Sequence, residues 1–119
     1  MQASLRVLVV DDNVDAARTL AMNLRLMGHQ TRTAYDGEEA LAAAAHFVPD
    51  RVLLDIGLPG ADGYEVARRM RNMPELAGTR IAAVTGYGSA EDRQKGREAG
   101  FDEYFVKPVA FEVIVEVFL

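Results

Sequence analysis

Five side chains placed at the ends of short apolar runs carry the chemistry available to this chain. Asp11 and Asp12 follow the run Leu5–Val10, Asp55 closes Arg51–Asp55, Thr85 closes Arg80–Thr85, and Lys107 with Pro108 follows Glu103–Val106. If the runs are strands of one open parallel sheet, all five lie where such sheets gather ligands, outside the carboxyl ends of the strands. Three carboxylates brought to one edge repel each other unless a cation intervenes. A hard divalent ion resolves this, because magnesium favours oxygen ligands, keeps several waters, and is typically held by one or two carboxylates plus phosphate oxygens. At such a site an Asp carboxylate can act as the nucleophile toward a phosphoryl group, giving an acyl phosphate. The Thr85 hydroxyl and the Lys107 ammonium supply donors for the equatorial oxygens. Taken one at a time, the aspartates read equally well as helix caps or turn residues and Lys107 as a solvated charge. Their joint placement is the argument.

The elements that must position these residues are legible as an alternation. Apolar runs rich in Val, Leu and Ile alternate with longer segments of helical period, the pattern of βα units around a parallel sheet. Five units are expected, with Gln30–Ala34 as the second run. That run is polar and Thr-rich and belongs at a sheet edge, whereas the first and third are apolar throughout and belong at its centre. Asn13 is placed to cap the first helix, and Asp36-x-x-Glu39, Asp62-x-x-Glu65 and Ser89-x-x-Asp92 each read as a capping-box variant. The first helix carries Val14, Ala17, Leu20, Ala21, Leu24 and Met27 on one stripe, and Gly28 stands where a left-handed C-terminal cap is wanted.

Composition excludes several classes. A chain of 119 residues with 50% hydrophobic content suits one domain over residues 1–119. Eighteen acidic against 13 basic residues, a net charge of −5, lack the basic excess of a nucleic-acid binder, so direct nucleic-acid contact is not expected. No cysteine is present, which leans toward a reducing, cytoplasmic setting. No apolar run approaches the roughly 18 residues of a membrane span, so no membrane insertion is expected. His29 and His46 lack a partner at metal-ligand spacing and read as packing or surface residues, and Met22, Met27, Met70 and Met73 as core filler or helix surface.

Four segments in order, Val9-Val10-Asp11-Asp12-Asn13, Leu53-Leu54-Asp55-Ile56-Gly57-Leu58-Pro59-Gly60, Val84-Thr85-Gly86 and Tyr104-Phe105-Val106-Lys107-Pro108, resemble the receiver domains of two-component response regulators. The likeness covers nearly the whole chain. It implies a CheY-like, flavodoxin-like α/β fold: a single doubly wound sheet of five parallel strands in the order 2-1-3-4-5, flanked by five helices. It further implies a phosphorelay domain that accepts a phosphoryl group on Asp55 from a histidine kinase or phosphotransfer protein. Magnesium would be contacted by Asp12, Asp55 and the Gly57 backbone carbonyl, with Asp11 acting near it through water. The resemblance makes Lys107 the phosphoryl-contacting cation, Thr85 and Tyr104 a coupled switch pair, and Lys107–Pro108 a cis peptide. Beyond its own phosphorylation and dephosphorylation, no enzyme activity is implied. The wording of Thr85-Gly86-Tyr87-Gly88 and Ala99-Gly100-Phe101 resembles receivers of hybrid histidine kinases.

Departures from the family pattern set further expectations. Gly57 stands where a larger side chain is common, so it offers only backbone to the metal and opens the site to water. Gly86 and Gly88 around the switch loop, and a following helix with Gly96 inside it and few large apolar residues, suggest the most mobile part of the fold. Ala110 is a poor N-cap, and the β-branched segment after it has more apolar surface than one face buries. The 103–119 surface is therefore expected to serve self-association as a homodimer or docking within a larger protein. Two rival classes remain: a magnesium-dependent phosphohydrolase of the haloacid-dehalogenase type, which would need an Asp-x-Asp motif on its first strand and usually a cap domain, and a pseudo-receiver that binds partners without phosphoryl chemistry.

Overall fold

The computed structural model describes residues 4–58 and 62–119, so Pro59 and Gly60 of the second motif lie outside the described residues. The chain alternates as read: β1 (Arg6–Val10), α1 (Val14–Leu26), β2 (Gln30–Ala34), α2 (Gly37–Phe47), β3 (Arg51–Leu54), α3 (Gly63–Arg71), β4 (Arg80–Thr85), α4 (Ala90–Ala99), β5 (Glu103–Val106) and α5 (Phe111–Phe118), with a short 3₁₀ turn at Pro74–Leu76. All strand pairs are parallel, in the order β2-β1-β3-β4-β5. The polar β2 is an edge, and β1 and β3 are interior, as their composition requires. Leu5 and Asp55 each fall just outside the strands assigned to them, although the Asp55 amide still donates to Val10 O at 2.9 Å and continues the ladder.

Helices cover both faces of the sheet. On one side Leu8, Val10, Val52, Leu54 and Ile81 meet α2, α3 and the end of α4 through Ala40, Ala44, Val66, Ala67, Met70 and Ala99. On the other, Val7, Val9, Leu53 and Ala82 meet α1 and α5 through Ala17, Ala21, Leu24, Ile114 and Phe118. Alternate residues of β1 thus enter opposite cores, the period-2 consequence of a strand buried on both faces. Among the described residues no helix is long and apolar enough to cross a membrane.

The caps hold with corrections. Asn13 accepts from the Ala16 amide at 3.1 Å, and Asp36 from the Glu39 amide at 2.8 Å. Asp62 accepts instead from Tyr64, two residues on, at 2.9 Å, so it caps without forming the expected box. Only Ser89–Asp92 closes in both directions, at 3.0 and 3.1 Å. Past α1, Gly28 adopts φ +97° while its amide donates to Arg25 O at 2.9 Å and that of His29 to Leu24 O at 3.2 Å, the paired bonds of a Schellman motif. The α1 stripe is narrower than expected, since Val14 and Met27 at its ends are exposed and only its middle reaches the core. His29 is a packing residue: buried, with Nδ1 accepting from the Leu5 amide at 3.0 Å. His46 lies exposed on α2. Met70 is core and Met22 is surface, while Met73 is half-buried against the core.

Gly96 has a reason that its helix propensity conceals. A Cβ there would stand 2.7 Å from Cδ2 of Tyr104, and one on Gly88 would stand 2.9 Å from Cγ1 of Val106. Both glycines let β5 side chains approach the β4–α4 segment. α4 itself buries only Gly96 and Ala99, in keeping with its polar sequence.

Candidate functional site

The ladder delivers the acidic residues to one edge. The Asp11 amide donates to Ala34 O at 3.1 Å and that of Asp55 to Val10 O, so each carboxylate leaves a strand end whose backbone is still paired. The Lys107 amide donates to Thr85 O at 2.8 Å, which places the lysine beside them from the far side of β4. Lys107–Pro108 is cis, as the resemblance implies. One carboxylate oxygen each from Asp11, Asp12 and Asp55 falls within 4.8 Å of the others, and this trio is the one such acidic cluster among the described residues.

The oxygens are already sorted. Asp55 Oδ1 accepts from the Gly57 amide at 3.0 Å, while Oδ2 faces the Lys107 ammonium at 3.2 Å. Asp11 divides its oxygens in the same way, between the Asn13 amide at 3.0 Å and Lys107 at 3.3 Å. Asp12 is exposed, and no protein donor to its carboxylate is recorded among the described residues. Burial works against the Lys107 charge, but the carboxylates of Asp55 and Asp11 outweigh it and push the ammonium above its ordinary value. One ammonium pairs with two of the three carboxylates, so a hard cation with oxygen preference fits the donor set. Asp12 has the most freedom to meet it directly. Gly57 is exposed, yet a Cβ on it would lie 3.7 Å from Cε2 of Tyr87, so the Tyr87 ring stands over the space that the missing side chain leaves.

Thr85 and Tyr104 are linked, though indirectly. Thr85 is fully buried, and its Oγ1 accepts from the Tyr87 amide at 3.3 Å. The Tyr104 hydroxyl donates to the Tyr87 carbonyl at 2.6 Å, so the pair is joined through the backbone of one residue. No hydrogen bond from Thr85 to Asp55 is present among the described residues. Burial pushes the Tyr104 phenol above its ordinary value, and the neighbouring Tyr64 hydroxyl adds to this. Sequence reasoning assigned no role to Tyr64, and it met Tyr87 only as part of the segment Thr85-Gly86-Tyr87-Gly88.

Doubly wound open α/β sheets that collect polar residues outside the carboxyl ends of their strands form a class of domains that bind ligands at that edge. Within that class, residues 7–118 match the model of the response regulator receiver domain, and the chain belongs to that family. It is 41% identical over 112 residues to the transcriptional regulatory protein PrrA of Mycobacterium tuberculosis, covering 94% of this chain and 47% of that protein. It is 37% identical over 106 residues to the response regulator PleD of Caulobacter vibrioides, covering 89% of this chain and 23% of that protein. The chain thus spans about half the length, or less, of these curated relatives. Among solved structures, the chemotaxis protein CheY4 of Vibrio cholerae superposes with a TM-score of 0.90 at 31% identity, over 96% of this chain and 95% of that one. A Burkholderia pseudomallei response regulator, solved with a phosphorylated aspartic acid, a calcium ion and citrate, superposes with a TM-score of 0.86 at 30% identity, over 92% of this chain and 64% of that one.

Proposed function

We propose that residues 1–119 form one receiver domain that takes a phosphoryl group on Asp55 from a histidine kinase or phosphotransfer protein and changes its output surface in response. The observation that carries this reading is the trio Asp11, Asp12 and Asp55 beside Lys107, with Asp55 the member at the end of the central strand β3. Asp12, Asp55 and the Gly57 carbonyl would hold magnesium, with Asp11 acting through water; the ion would neutralise charge on the incoming phosphoryl group. Asp55 would supply the attacking oxygen while Lys107 donates to a phosphoryl oxygen. The phosphorylated aspartic acid and calcium ion of the Burkholderia relative support the same assignment for this chain. A groove of about 870 Å³ between α1 and α5 opens at Asp11 and Lys107 and gives a protein donor a surface adjoining the site.

Thr85 and Tyr104 would act as the switch, through Tyr87. On α5, Val113 and Val117 remain 41% and 47% exposed, and this narrower strip of the 103–119 surface would serve self-association or docking. The net charge of −5 argues against direct nucleic-acid contact by this domain, and no catalysis beyond its own phosphorylation and dephosphorylation is proposed. Incubation with magnesium and acetyl phosphate, read by intact mass, tests the reading. The wild type gains one phosphoryl group and Asp55→Asn gains none. A wild type that never gains mass would leave a partner-binding pseudo-receiver, and an Asp55→Asn protein that still gains it would place the acceptor elsewhere.

A further inference from the structure

We propose that Tyr64, in the first turn of α3, is a positioning residue of the switch: it offers the Tyr104 hydroxyl a second acceptor from the α3 side, on a helix start pressed against the backbone of Asp55 and Ile56. The inference deepens the phosphoacceptor reading and rests on it for its signalling role. Gly63 makes the contact with the strand end. A Cβ on Gly63 would stand 2.4 Å from Ile56 Cα and 3.1 Å from Asp55 O, and its amide donates to Ile56 O at 3.1 Å. No larger residue fits without moving backbone, so the start of α3 and the end of β3 are set against each other.

Tyr64 extends that contact to α4. Its ring is buried, edge-on to Phe101 with centroids 6.3 Å apart, and Phe101 in turn meets Tyr104 edge-on at 6.4 Å. α4 lays a cation on each tyrosine, Lys95 over Tyr64 and Arg93 over Tyr104, at 5.9 and 5.6 Å from the ring centroids. The Tyr64 hydroxyl donates to Asp92 O at 3.2 Å, the Tyr104 hydroxyl donates to Tyr87 O at 2.6 Å, and the two oxygens lie 3.3 Å apart. Two phenols have two protons between them, so the three contacts cannot all be hydrogen bonds at once. When Tyr104 leaves the Tyr87 carbonyl, Tyr64 is the acceptor already in place. The arrangement gives Tyr104 two positions that are both satisfied, and it ties the choice between them to α3 as well as to Thr85.

Amide hydrogen exchange over residues 86–99 tests this in the resting protein with Tyr64→Phe, Tyr104→Phe and the double variant, all of which keep the rings that fill the core. A lost hydrogen bond with its fallback speeds exchange about five-fold when Tyr64→Phe is made in the wild type, against no more than about two-fold in Tyr104→Phe. Equal effects in the two backgrounds would reduce Tyr64 to a brace for Asp92 and overturn the proposal, as would no effect in either. With magnesium and acetyl phosphate, Tyr64→Phe takes up the same mass as wild type but shows a smaller exchange response across α4; an undiminished response also overturns it. If the wild type takes up no phosphoryl group, the phosphoacceptor reading fails, while the resting-state cycle still decides whether the two hydroxyls are coupled.

Discussion

The two edges of the sheet handle charge in opposite ways. At the amino edge each arginine is answered. Arg6 lies over the Phe47 ring at 4.9 Å and donates to the Phe47 carbonyl at the end of α2. Arg51 donates to Phe118 O at 2.9 Å, at the end of α5, and lies 5.8 Å from that ring. Arg71 donates to Gly100 O at 2.9 Å and Thr79 O at 2.6 Å and pairs with Asp102. Cations at helix C-termini meet unsatisfied carbonyls and the negative end of the helix dipole, a stabilising placement. At the carboxyl edge three carboxylates bring oxygens within 4.8 Å of one another, and one ammonium pairs with two of them. Charge there is left under-neutralised, a deficit that an oxygen-preferring cation would offset. Polar groups at one edge close the ends of helices, and those at the other stand together with a single ammonium among them.

The largest effect that sharpens this contrast lies at the amino edge. Phe118→Ala removes a side chain that is 1% exposed, together with the ring under Arg51 and Arg80, and should cost about 3–5 kcal/mol in urea unfolding. A loss below about 1 kcal/mol would mean that α5 is not anchored there. Neutralising the other edge should act differently. Asp12→Asn keeps volume but relieves repulsion, so in metal-free buffer its melting temperature should equal or exceed that of wild type by a few degrees, while magnesium affinity falls about ten-fold or more by calorimetric titration. Lower stability without metal, or unchanged affinity, would break the comparison.

The smallest effect is a pH dependence. The Lys107 ammonium is held above its ordinary value of 10.5, so the native state keeps this proton more tightly than the unfolded chain. Its stabilising contribution is complete below 10.5 and is lost as pH rises through the higher native value. The difference in melting temperature between wild type and Lys107→Met should therefore shrink at the alkaline end of that window. A difference that grows with pH would contradict the sign.

Much of this was legible because it is local. Strand ends, the edge position of β2, the Asn13 and Ser89 caps and the Gly28 turn each follow from a few adjacent residues. What escaped depends on residues far apart in sequence. Gly96 reads as a weak spot until Tyr104 is seen against it, and nothing near Tyr64 foretells a contact with a residue 40 positions on. Val48 caps α2 at φ 47°, a left-handed conformation that a β-branched residue seldom adopts and that no local rule would assign to it. At the site, residue types and order named side chains that the fold brings to one edge, but the division of oxygens between Lys107 and backbone amides required the folded ladder.

The most direct test is to locate the phosphoryl group chemically. Borohydride reduces an aspartyl phosphate to homoserine, so protein treated with magnesium and acetyl phosphate can be trapped, digested and read peptide by peptide. The account predicts homoserine at position 55 alone, absent without magnesium. Homoserine at position 11 or 12, or none anywhere in a protein that has gained the mass of a phosphoryl group, would contradict it.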